Sequence, residues 1–121
     1  MMKLFLTAAL ISLSLNAHAA IATAPEAVAP LNVGQTVPDV MLTRLDGSSA
    51  RLAELSAGHK TVLVFFRGGW CPYCTKHLAA LKDALPALQE QGYEVIAISP
   101  DTIESKEGAV NEHGLPFTVV S

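Results

Sequence analysis

Two cysteines, Cys71 and Cys74, stand three residues apart in the run Arg67-Gly68-Gly69-Trp70-Cys71-Pro72-Tyr73-Cys74. Ahead of them lies Thr61-Val62-Leu63-Val64-Phe65-Phe66, a continuous apolar, β-branched segment of the kind that forms a strand with helices on both faces. Behind them Leu78, Leu81, Leu85 and Leu88 recur at spacings of a helical face. The pair therefore falls where a buried strand hands over to a helix. On a first helical turn, residues three apart share a face, and a disulfide can close between them. The thiolate is the reactive form of cysteine, and the unpaired N–H groups and dipole of a helix N-terminus stabilise it. Pro72 fits the first turn, where its missing N–H costs nothing. Gly68 and Gly69 allow a sharp bend that brings the sulfurs to the surface. Arg67, Lys76 and His77 are near enough in sequence to favour the thiolate, and Trp70 would shield one side from water.

Other chemistries compete for the same residues. A structural disulfide closing so short a loop contributes only about 2 kcal/mol in the chain-entropy model. A zinc site from Cys71, Cys74 and His77 would need His59 or His113 as its fourth ligand, since there is no second cysteine pair. Covalent haem attachment needs His directly after the second cysteine, and position 75 is Thr. Redox thiol chemistry at Cys71 and Cys74, with Arg67, Trp70 and Pro72 in support, fits best, and it needs neither organic cofactor nor metal. The alternative kept open is a non-catalytic module that binds a metal or a partner.

The rest of the chain must position that pair. Residues 40–45 followed by Asp46-Gly47 predict a short strand and tight turn, with a return strand over 49–52. Leu52, Leu55 and Gly58 mark a helical turn and its end. Pro86 predicts a kink or break in the helix after the cysteines, which Gly92 terminates. Residues 93–99 predict a second strand, 102–113 a polar surface helix capped by Asp101 or Ser99 and stopped by Gly114, and 116–120 a third strand. With right-handed crossovers the last three strands are parallel neighbours in one α/β sheet. A buried strand at the end of the sequence leaves a sheet edge uncovered, which predicts that the domain continues beyond Ser121.

The chain is 121 residues long, half of them apolar, with a net charge of −3. That bounds it to one folded domain and excludes disorder as its main state. Eight Lys and Arg against eleven Asp and Glu, with no basic cluster, argue against a nucleic-acid partner. Residues 1–19 read as a cleavable signal peptide: Lys3, an apolar stretch from Leu4 to Leu15, then Ala17 and Ala19 before a cut after Ala19. As a helix that stretch reaches ~18 Å, short of a ~30 Å hydrocarbon core, so no stable membrane anchor is expected. The expected location is the periplasm or the outside of the cell, where disulfides persist. Residues 20–36, rich in Ala and Pro, are a flexible lead-in, and residues 37–121 the folded domain.

The segment Phe65 to Cys74 with Leu78 and Leu81 resembles the peroxiredoxin-like branch of the alkyl hydroperoxide reductase/thiol-specific antioxidant (AhpC/TSA) family, within the thioredoxin-fold superfamily. Gly34-Gln35-Thr36-Val37-Pro38-Asp39, Ile98-Ser99-Pro100-Asp101 and Gly114-Leu115-Pro116-Phe117 support the resemblance. It implies a thioredoxin-like α/β fold, a central mixed sheet with flanking helices. It also implies two-electron thiol chemistry on a hydroperoxide or a protein disulfide, with a thiol reductant as partner. By the thioredoxin pattern Cys71 is the exposed nucleophile and Cys74 resolves. By the peroxiredoxin pattern the peroxidatic position falls on Cys74, with Arg67 where that pattern has Pro and Cys71 where it has Thr. The family's cis-proline and its distant arginine would lie beyond Ser121, and Pro116 does not match the former.

Overall fold

The computed structural model describes residues 22–121; the expected signal peptide, its cleavage point and the first residues of the lead-in lie outside them. The chain divides into two units, ending and beginning at Pro38 and Asp39. Within the first, residues 22–38 carry a single 3-10 turn at Pro25–Ala27 and are exposed almost throughout. No helix among the described residues is long and apolar enough to cross a membrane.

In the second unit, β1 (Met41–Thr43) and β2 (Ser49–Arg51) form the expected antiparallel hairpin. Its turn is closed by the Arg44 N–H donating to Ser48 O at 2.8 Å and the Ser48 N–H to Asp46 Oδ1 at 2.9 Å, with Gly47 at φ 80°. The helical turn α1 (Leu52–Leu55) follows directly. Asp39 secures it: Oδ1 accepts from the Ala53 N–H at 3.0 Å while Oδ2 pairs with Arg51.

Then β3 (Lys60–Phe65), α2 (Pro72–Glu90), β4 (Tyr93–Ile98), α3 (Ile103–His113) and β5 (Thr118–Val120) build a parallel sheet in the order β3-β4-β5. The register aligns Val64, Ala97 and Val119 across it, and side chains alternate between two cores. One face packs Val62, Val64, Val95, Ala97 and Val119 against Leu78 and Leu85 of α2. The other packs Leu63, Ile96, Ile98 and Val120 against Leu42 and Leu52.

Three expectations change. Only α2 is a long helix against the sheet: on the second face the hairpin shares the cover with the single turn of α1, and Phe65 at the end of β3 is 74% exposed. The open sheet edge among the described residues belongs to β3, because β5 is met by the hairpin through an antiparallel bridge between Arg44 and Val120. And α2 runs unbroken through Pro86. The proline removes one helical hydrogen bond at a cost of about 3 kcal/mol. Leu78 and Leu85 are buried and Leu81 and Leu88 partly so, on both sides of it. Burying each of these is worth roughly 1.5–3 kcal/mol, so the packed face outweighs the break.

Candidate functional site

The sheet delivers the cysteines to its C-terminal edge. Phe66, 8% exposed, is the last core residue of the β3 run, and its N–H donates to Ile98 O at 3.0 Å. The chain then turns over Arg67 to Trp70 and enters α2 with Cys71 as N-cap and Pro72 in the first turn. Thr75 stitches this start together, its hydroxyl donating to Pro72 O at 3.1 Å and its N–H to Cys71 O at 3.0 Å.

Both cysteines are free thiols, with their sulfurs 2.8 Å apart. A disulfide would bring them to about 2.05 Å, so the two atoms are adjacent and unbonded. Cys71 is 7% exposed and Cys74 half-buried. This reverses the exposure that the thioredoxin pattern implied: the first cysteine is the more covered one. The Cys71 thiol is nonetheless held below the ordinary thiol range. The largest cause is the Cys74 thiol donating to it, followed by the Cys74 N–H; desolvation opposes them, and the Tyr73 N–H and the Arg67 charge add to them. These N–H groups direct positive charge at the sulfur, although none closes a conventional cap hydrogen bond to it.

The supporting residues divide. Pro72 occupies the first turn as expected. Arg67 stands with its guanidinium 5.1 Å from the centre of the Trp70 ring, a cation–π contact, and its charge reaches Cys71. Trp70 itself stays 60% exposed and Tyr73 84%. Lys76 and His77 are exposed on α2 and play no part in holding the Cys71 thiol down. Among the described residues no three His, Cys, Asp or Glu side chains are grouped to hold a metal ion, so His59 and His113 do not complete a site with the cysteines.

Gly68 and Gly69 lie in the expected bend, where the Cys71 N–H donates to Gly68 O, and they serve a second purpose there. Neither has a positive φ. A Cβ on Gly68 would collide with the Asp101 carboxylate and the Trp70 indole nitrogen, and one on Gly69 with the carbonyl of Ser105. The glycines permit close approach, and the partner they approach is a residue that the sequence presented only as a helix cap. Asp101 does not cap α3. Thr102 does, its Oγ1 accepting from the Ser105 N–H at 3.2 Å. Asp101 instead accepts from the Gly69 N–H with Oδ2 at 3.0 Å. The signal available in sequence was the parallel order of β3 and β4, which brings the loops after both strands to one edge.

This arrangement, a parallel sheet with a cysteine pair at the start of the helix after its edge strand, is a thioredoxin-like fold. The comparisons agree. The structure of peroxidoxin BcpB from Mycobacterium tuberculosis superposes with a TM-score of 0.68 at 25% identity, over 73% of this chain and 57% of that one. The AhpC/TSA family profile matches residues 33–121, and the chain belongs to that family. Similar relatives are peroxiredoxin bcp1 of Schizosaccharomyces pombe, 30% identical over 75% of this chain and 47% of that protein, and the thiol-disulfide oxidoreductase ResA of Bacillus thuringiensis, 31% identical over 74% and 51%. The chain thus spans about half the length of the curated relatives it matches.

Proposed function

We propose that this protein is an exported thiol-disulfide oxidoreductase with an antioxidant, peroxiredoxin-like role, cycling Cys71 and Cys74 between dithiol and disulfide. The observation that carries the reading is the pair of free sulfurs 2.8 Å apart at the N-terminus of α2, one of them with a lowered thiol pKa. A thiolate at Cys71 attacks one sulfur of a substrate disulfide; a mixed disulfide forms and the first substrate thiolate leaves and is protonated. Cys74 then attacks the Cys71 sulfur, releasing the second substrate thiol and closing the Cys71–Cys74 disulfide. A thiol reductant returns the pair to the dithiol. With a hydroperoxide, the thiolate takes the terminal oxygen, an alcohol leaves, and the resulting sulfenic acid condenses with the second thiol to give the disulfide and water. Arg67 favours the thiolate, Pro72 sets the helix start, and Trp70 forms an exposed wall beside it.

The location follows from the N-terminal pattern: residues 1–19 direct export, residues 20–36 are a lead-in, and the oxidoreductase domain occupies 37–121 in the periplasm or outside the cell. N-terminal sequencing of the secreted protein should begin at Ala20; retention of Met1 in a cytoplasmic fraction contradicts export. For the chemistry, purified protein with dithiothreitol should reduce insulin disulfides or consume a hydroperoxide. Turnover of insulin alone assigns disulfide reduction, and turnover of neither substrate rejects the proposal.

A further inference from the structure

One buried charge near the cysteine loop has no place in the chemistry above. Lys106, on the first turn and a half of α3, is 0% exposed, and its Nζ has no hydrogen-bond partner among the described residues. Lysine is almost never buried outright unless a charge accompanies it. Here the accompanying charge is Asp101, which favours the ammonium form against the burial that pushes its pKa down. The pair lies beyond salt-bridge contact, so the attraction acts through space. Asp101 in turn is held below the ordinary carboxylate range, first by the Ser105 side chain, then by the Thr102 and Gly69 N–H groups and the Lys106 charge, against desolvation. The same carboxylate fills the space that only Gly68 leaves open, and it takes the one N–H that Gly69 offers.

We propose that Asp101 is a positioning residue for the Cys71–Cys74 pair, fixing the Gly68–Gly69 backbone against the start of α3. The inference rests on the dithiol–disulfide reading of the cysteines. The geometry gives the reason. Two residues after Gly69 the chain becomes the N-cap of α2, and the Cys71 N–H donates to Gly68 O at 3.2 Å. A displacement of the glycine pair is therefore passed directly to Cys71, while Cys74, the third residue of a packed helix, stays put. Closing the disulfide depends on the two sulfurs being presented to one another, so loosening the loop disfavours the disulfide relative to the dithiol.

The test is the thiol–disulfide equilibrium of the purified full chain in glutathione buffers at neutral pH, for wild type, Asp101→Ala, Asp101→Asn and Asp101→Ser, each checked for folding by circular dichroism. Asp101→Ala should weaken the disulfide by about fivefold in equilibrium constant, the value of one lost net hydrogen bond. Asp101→Asn keeps a side-chain oxygen for the Gly69 N–H and should restore most of the wild-type value. A folded Asp101→Ala with the wild-type equilibrium, or an Asp101→Asn as impaired as the alanine variant, overturns the proposal. If Asp101→Ala does not fold, Asp101→Ser, whose hydroxyl is too short to reach the Gly69 N–H, takes its place: a weakened disulfide supports the brace and an unchanged equilibrium overturns it. A wild type showing no dithiol–disulfide transition at all instead defeats the underlying reading, a result distinct from these.

Discussion

Two helices leave the same edge of the same parallel sheet, and they begin differently. α3 opens on Thr102, whose hydroxyl accepts from the Ser105 N–H, with acidic Glu104 in its first turn. α2 opens on Cys71, which makes no cap hydrogen bond, and has no acidic residue in its first turn. A good cap is worth about 1 kcal/mol, so α2 forgoes ordinary stabilisation at this end. What it keeps is a set of N–H groups turned towards a sulfur that is held below its usual pKa. The stability of α2 comes instead from its length, through Leu78 and Leu85 in the core. The helix that carries the cysteine pair is anchored by its buried face and left uncommitted at its tip; the helix without cysteines is finished at its tip.

The sharpest way to break this contrast is Cys71→Ser. Disulfide exchange should fall to background, while thermal unfolding shows no loss of stability and a gain of up to about 1 kcal/mol, because serine is a far better N-cap than cysteine. A large loss of stability would mean that the thiol is structural. Next, Leu78→Ala should cost about 2–5 kcal/mol by denaturant titration, since Leu78 is 1% exposed in a closed core. A small cost would show that the tip, and not the face, holds α2. Thr102→Ala should cost about 1 kcal/mol in the same assay, and no measurable loss would remove the cap from the comparison.

The smallest expected effect is electrostatic. Alkylation of the reduced protein should rise with pH and level off below the ordinary thiol value of 9.0, because the native site favours the thiolate. The first ionisation belongs to the pair, since the two sulfurs share a proton donor and acceptor. Arg67→Gln removes one cation and should move the midpoint slightly upward, leaving less thiolate at neutral pH. An unchanged midpoint would mean that Arg67 is engaged by Trp70 alone.

Much of this was legible in the sequence because it is written locally. Asp46-Gly47 between short apolar runs gave the hairpin, β-branched residues 61–66 gave β3, leucine spacing gave α2, and Cys-Pro at its head placed the sulfurs on a helix start. The misreadings all involve partners distant in the chain. Pro86 is a helix breaker by local rules, and only the core beneath Leu78 and Leu85 overrides it. Asp101 has the residue type of a cap, and only the register of β3 against β4 turns it towards Gly69, 32 residues away. Lys106 reads as a surface charge in a polar helix, and nothing nearby in sequence says that it is buried. The greater burial of Cys71 over Cys74 is likewise a property of the assembled loop.

The central claim is that Cys71 and Cys74 form one redox unit. Peptide mapping by mass spectrometry of the full chain, alkylated after equilibration across a series of glutathione buffers, tests it directly. The account predicts a single reversible two-electron transition, in which the peptide containing both cysteines loses two hydrogens and becomes resistant to alkylation. Persistence of two alkylatable thiols under oxidising buffers, or glutathione adducts in place of the internal disulfide, would contradict it.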